Sequence, residues 1–122
     1  MILVDTSVWI DHLRSADVTL QRLLRNDKVV THPFVRLELA LGSIATREKV
    51  LADLALLPQA PIATTEELFS LVELRGLHRR GIGITGLHLI CSALYDKSIS
   101  IWTRDRRLGD IANEYGLRAS LP

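Results

Sequence analysis

The chain has 122 residues, the common size of one folded domain of about 100–150 residues, so a single domain spanning 1–122 is expected. Hydrophobic residues make up 48% and charged residues 24%, with 7 Gly and 4 Pro, which excludes disordered and collagen-like chains. Fifteen Lys and Arg against 14 Asp and Glu leave a net charge of +1. No overall field therefore draws the molecule to a polyanion, and any such recognition has to be local.

One cysteine, Cys91, rules out an internal disulfide and a cysteine-based zinc site, which points to a reducing compartment and a cytoplasmic protein. The opening apolar stretch Met1–Val4 stops at Asp5. It is too short for a secretory leader, and no run approaches the roughly 18 apolar residues of a membrane span. Neither export nor membrane insertion is expected.

Ile2-Leu3-Val4 is a branched apolar run ending in a polar Asp-Thr-Ser, the pattern of a strand buried on both faces of a parallel sheet. Helical spacing follows over Val8–Leu13 and again at Leu20, Leu23 and Leu24, fading at Asn26-Asp27. A strand is predicted over 28–32, then a helix over Pro33–Leu41, opened by Pro33 and stopped by Gly42. Val50, Leu51, Leu54 and Leu57 mark another helix, ended by Pro58 in a loop with a short strand near Ile62.

Thr65-Glu66-Glu67 opens a helix that the pattern of Leu68, Leu71, Val72 and Leu77 carries into His78-Arg79-Arg80. The Arg79-Arg80 pair suits the negative end of that helix. Gly81-Ile82-Gly83 then bends the chain. A helix over Leu87–Tyr95, a strand over 99–103, a last helix from Arg106 to Tyr115 and a brief strand near Arg118-Ala119 complete the prediction. Strands alternating with helices imply right-handed crossovers and an α/β fold, a short, mostly parallel central sheet flanked by helices. Ligands of such a sheet lie beyond its strand carboxyl ends.

That rule makes acids just after strands informative. Asp5 follows the first strand, Glu38 lies early in the helix after the second, and Asp105 follows Ile101-Trp102-Thr103-Arg104. Clustered carboxylates repel one another unless a cation neutralises them, and an oxygen-only set suits Mg²⁺ or Mn²⁺. Taken singly, each acid also has a local role open to it: Asp5 and Asp105 as helix caps, Glu38 as a solvated surface residue.

The segments MILVDTSVWIDHLR, HPFVRLELALG, GIGITGLHLICSAL and IWTRDRRL resemble, in order and over nearly the whole chain, the signatures of PIN-domain ribonucleases of the VapC toxin type. The resemblance implies a parallel-sheet nuclease whose acids hold Mg²⁺ or Mn²⁺ and which cuts single-stranded RNA, tRNA or rRNA, leaving a 5′-phosphate and a 3′-hydroxyl. It also implies a VapB-type antitoxin that blocks the cleft, and a homodimer. On the matching positions Asp5, Glu38 and Asp105 are the metal-ligating acids.

One position departs from the family. Where the third signature has an Asp, this chain has Gly86, which removes one charge and one ligand. Neither His88, on another face of the helix, nor Asp96, at its far end, replaces it. A weakened nuclease, a non-catalytic module that binds RNA or antitoxin, and an inactivating change at this position all fit.

Around the acids, the hydroxyls of Thr6, Ser7 and Thr103 are placed to hydrogen-bond a metal-bound carboxylate or water. The Thr6 and Ser7 hydroxyls equally fit a helix cap. Arg104, Arg106 and Arg107 flank Asp105 and suit RNA phosphates. Trp9 and Trp102 read as packing residues in a chain with only 5% aromatics, too few for a base-stacking platform. The histidines His12, His32, His78 and His88 lack zinc-ligand spacing, and Cys91 reads as a small buried hydrophobe. A phosphotransfer domain built on Asp5 finds no partner Lys and no Gly-rich phosphate loop.

Overall fold

The computed structural model describes residues 1–122. In chain order the elements are β1 (Ile2–Val4), α1 (Thr6–Arg14), α2 (Val18–Arg25), β2 (Val29–Val30), α3 (Pro33–Leu41), α4 (Arg47–Ala55) and α5 (Thr65–Arg75). A 3₁₀ turn (Leu77–Arg79), α6 (Ile84–Tyr95), β3 (Ser100–Trp102) and α7 (Arg106–Glu114) follow. The three strands pair in the order β2-β1-β3, all parallel, with Leu3 opposite Val30 on one side and Ile101 on the other. Leu3 and Val4 are fully buried, because helices cover both faces of the central strand.

The sheet is narrower than the apolar runs predict. The strand expected over 28–32 keeps only Val29 and Val30. Thr31 instead makes an isolated parallel bridge to Gln59, with Thr31 N–H donating to Pro58 O and Ala60 N–H to Thr31 O. The short strand expected near Ile62 is therefore a single bridge three residues earlier, set by the loop that Pro58 starts. At the opposite edge, the strand expected near Arg118-Ala119 is one bridge between Arg118 and Ile101.

α5 stops at Arg75, short of the predicted run into His78-Arg79-Arg80, because Gly76 takes a left-handed φ of 62°. Such a residue ends a helix, and glycine adopts it without a Cβ penalty. Leu77 nonetheless stays buried by entering a separate 3₁₀ turn. Arg80 is not paired with a helix dipole; it makes a two-pronged ion pair with Glu114 of α7, at 2.7 and 2.9 Å. At its other end, α5 opens on the capping box of Thr64 and Glu67.

α6 begins at Ile84, three residues before the apolar pattern, and its burial on nearly every face identifies it as the central helix. Val50, Leu51, Leu54 and Leu57 of the α4 region all turn to the core. The exposed large apolar residues are elsewhere, among them Leu37 and Leu41 of α3 and Phe69 and Leu74 of α5. No helix is long and apolar enough to cross a membrane.

Two imidazoles lie in this core. His32 is fully buried and caps α3, its Nδ1 accepting from Phe34 N–H at 3.0 Å. His88 is nearly as buried, with its ring 4.9 Å from that of His32 and 4.0 Å from that of Phe34. Burial drives His32 down to about 4, helped by His88, and also lowers His88. A histidine whose folded value lies below its unfolded one contributes stability that is complete above the unfolded value and is lost as pH falls. Denaturant titrations at pH 7 and pH 5 should therefore give a lower stability at pH 5, by on the order of 1–2 kcal/mol from His32. His32→Asn, which retains a capping side chain, should remove most of that difference.

Candidate active site

Parallel strands deliver their carboxyl ends to one edge, and the turns that leave β1 and β3 meet there. Asp5 N–H donates to Trp102 O at 2.9 Å, continuing the ladder one residue past β1. The Asp5 carboxylate is buried, at 7% exposure, where an ionised group is costly unless hydrogen-bonded. Its Oδ2 accepts from Ser7 Oγ and from Thr103 Oγ1, both at 2.7 Å. The two hydroxyls are themselves engaged, Ser7 Oγ accepting from Arg104 N–H and Thr103 Oγ1 from Asp105 N–H, each at 3.0 Å. Asp5 stands at the N-cap position of α1 but makes no side-chain cap bond.

Glu38 sits in the second turn of α3 and is exposed. Its Oε1 accepts from Thr6 Oγ1 at 2.6 Å, tying α3 to α1. Asp105 does cap its helix, Oδ1 accepting from Arg107 and Leu108 N–H. Each of the three acids thus commits one oxygen to the protein, while Asp5 Oδ1, Glu38 Oε2 and Asp105 Oδ2 accept no hydrogen bond.

All three acids line one open cavity of about 500 Å³, together with Thr6, Ser7 and the start of α6 from Gly83 to Gly86. The carboxylates do not close into a ready-made cluster of three or more metal-ligating side chains. An all-oxygen set with one free oxygen per acid still fits a hard divalent ion such as Mg²⁺, which keeps several of its own waters. The N-terminus of α6 opens on the same space, with no side-chain cap, and its positive end favours anions there. Gly86 lies on this wall. A Cβ built on it would meet Ile82 and Leu108 at 3.5 Å, ordinary contact, so the backbone here accepts a side chain.

The arginines divide. Arg104 is not free for phosphate: its guanidinium pairs with Asp11 at 2.9 Å and Asp17 at 2.7 Å. It also donates to Pro122 O and lies over the Trp102 ring. Its hydrogen bond holds the Asp17 carboxyl below the usual range. Sequence spacing gave no sign of this, since Asp11 lies in α1 and Asp17 caps α2, 93 and 87 residues away in the chain. Arg106 and Arg107 are exposed and unpaired. Arg107 rests on Gly81, where a left-handed φ of 75° favours glycine. Trp9, Trp102 and Cys91 are core residues, and burial raises the Cys91 thiol. His88 does not reach the acid cavity, and Asp96 is tied to Ser98 at the end of α6.

A family model described as the PIN domain matches residues 2–114. The chain belongs to the PIN-domain family. Ribonuclease VapC32 of Mycobacterium tuberculosis, in strains CDC 1551 / Oshkosh and ATCC 25618 / H37Rv, is 48% identical over 117 residues. The alignment spans 96% of this chain and 94% of that protein. Within the family, this PIN domain is of the VapC ribonuclease type.

Thr103→Val removes a donor to Asp5 and an acceptor from Asp105, and should cost about 1–3 kcal/mol in denaturant unfolding. Gly86→Ala, in a helical backbone with room for a Cβ, should instead stabilise by about 0.5–1 kcal/mol in the same assay.

Proposed function

We propose that this chain is a VapC-like toxin: a divalent-metal-dependent endoribonuclease that hydrolyses phosphodiester bonds in single-stranded RNA, with tRNA or rRNA the expected substrate. The observation that carries this reading is the one free oxygen on each of Asp5, Glu38 and Asp105, all lining one cavity. Those oxygens would hold Mg²⁺ or Mn²⁺. Such an ion, when bound, lowers the pKa of water and stabilises charge on the phosphoryl oxygens.

The protein's own part is positioning. Ser7 and Thr103 hold the Asp5 carboxylate, Thr6 holds Glu38, and the amides of α7 hold Asp105, so each acid keeps one oxygen unengaged. Arg106 and Arg107, unpaired beside Asp105, are the phosphate contacts in this reading. Phosphate contact is assigned to these two and not to Arg104.

Gly86 favours a second reading, a PIN-fold module that binds RNA or antitoxin without cutting. It leaves a cavity wall without the carboxylate the family places there, and with it a smaller counter-charge for a cation. A VapB-type antitoxin and a second copy of the chain are the proposed protein partners, in the cytoplasm, with residues 1–122 acting as one domain. The exposed apolar residues of α3 and α5 supply surface for such contacts.

Purified chain and Gly86→Asp are compared for Mn²⁺-dependent cleavage of total RNA and, separately, for Mn²⁺ binding by calorimetry. The added carboxylate should tighten metal binding and raise cleavage by at least about tenfold, one ligand's worth of charge stabilisation. Cleavage absent from both folded proteins would sink the enzyme reading. Asp5→Asn in the active form should abolish cleavage while leaving the thermal midpoint within a few degrees. Persistent cleavage would remove Asp5 from the metal site.

A further inference from the structure

A second cavity adjoins the acids. Of about 370 Å³, it shares Ile10 and Glu38 with the acid cavity and continues between the end of α1 and the segment after α3. Leu13, Leu39 and Ile44 give it apolar walls, with Arg14 and Ser43 also lining it. Arg14 is exposed and joins no ion pair.

We propose that this pocket is a base subsite, taking one unstacked nucleobase of a single-stranded RNA beside the phosphate held at the acids. The inference rests on the nuclease reading and deepens it by naming where sequence preference is set. The occupant is decided by size, wall chemistry and continuity. The volume is near the lower end of the roughly 300–1,000 Å³ of small-molecule pockets, which suits one planar ring and not a helix face, whose recognition needs a groove with anchors over several turns.

Apolar walls match the faces of a base, and single-stranded RNA is read by splaying bases out and hydrogen-bonding their edges. Arg14 and Ser43 supply such bonds, the guanidinium through a fork of donors and the hydroxyl as donor or acceptor. Glu38 forms the shared wall, so a base here is covalently next to a phosphate at Asp5 and Asp105. The low aromatic content, which argues against an extended stacking platform, is compatible with one open-sided subsite.

The test uses the full chain, a random-sequence pool of single-stranded RNA octamers, and sequencing of the bound fraction, with and without Mg²⁺. The expected result is enrichment of particular bases at one position. Arg14→Ala, an exposed change that leaves the core intact, and Ile44→Trp, which fills the pocket, should each reduce that enrichment by about tenfold, the scale of one lost hydrogen-bonded base contact. Total affinity should fall much less, since phosphate contacts carry most of it.

Enrichment unchanged in both variants overturns the base subsite and leaves the pocket to a protein segment. Binding by the parent chain without any base preference overturns it as well. Failure of the parent chain to bind the pool in either buffer overturns the RNA-acting reading itself, a result distinct from the other two.

Discussion

The carboxylate of Asp5, buried at the junction of two parallel strands, is the constraint on which the rest of the site depends. An ionised oxygen in that position is tolerated only with close donors, and two hydroxyls at 2.7 Å provide them. Those hydroxyls belong to residues on either side of the strand pair, Ser7 in α1 and Thr103 after β3. Satisfying the charge therefore also fixes the two turns relative to each other. Charge-assisted bonds of this length are stronger than neutral ones, and each donor is in turn oriented by a backbone amide of the residues after β3.

Arg104 extends this clasp outward. Its amide reaches Ser7 while its guanidinium reaches Asp11, Asp17 and the Pro122 backbone oxygen. A residue that looks like a phosphate ligand by its place beside Asp105 is instead the bolt between the β3 turn, α1 and α2. Charge beside Asp105 is thus divided, with Arg104 bound into the structure and Arg106 and Arg107 left unpaired. The near-zero net charge conceals that division completely.

Gly86 and Gly81 are both glycines on the rim of the same region, and physics separates them. Gly81 is favoured by its left-handed φ of 75°. Gly86 has helical neighbours and ordinary clearance, so nothing in the packing demands it. In the proposed nuclease, a glycine in place of an acid at this wall lowers the negative charge of the cavity without any structural need for it, which places the consequence of Gly86 in chemistry and not in folding.

Much was legible in the sequence because it depends on local pattern. The buried strand Ile2–Val4, the helix opened by Pro33, the parallel α/β class and the family resemblance all follow from short-range spacing and residue type. So does the convergence of Asp5, Glu38 and Asp105 on one cavity, since Asp5 and Asp105 follow parallel strands that end together and Glu38 lies in the helix that leaves the strand beside β1. Other features rest on contacts between distant segments. The early stop of α5 at Gly76 shows this, since its apolar pattern continues to Leu77. The bridge at Gln59, the capture of Arg104 by Asp11 and Asp17, and the pairing of Arg80 with Glu114 are further cases. Periodicity reports which face of an element is buried, but not which charge meets which across the fold. The sequence determined which acids stand at the sheet edge; the tertiary structure alone decided which oxygen of each remains free, because that is set by hydroxyls and amides brought from elsewhere in the chain.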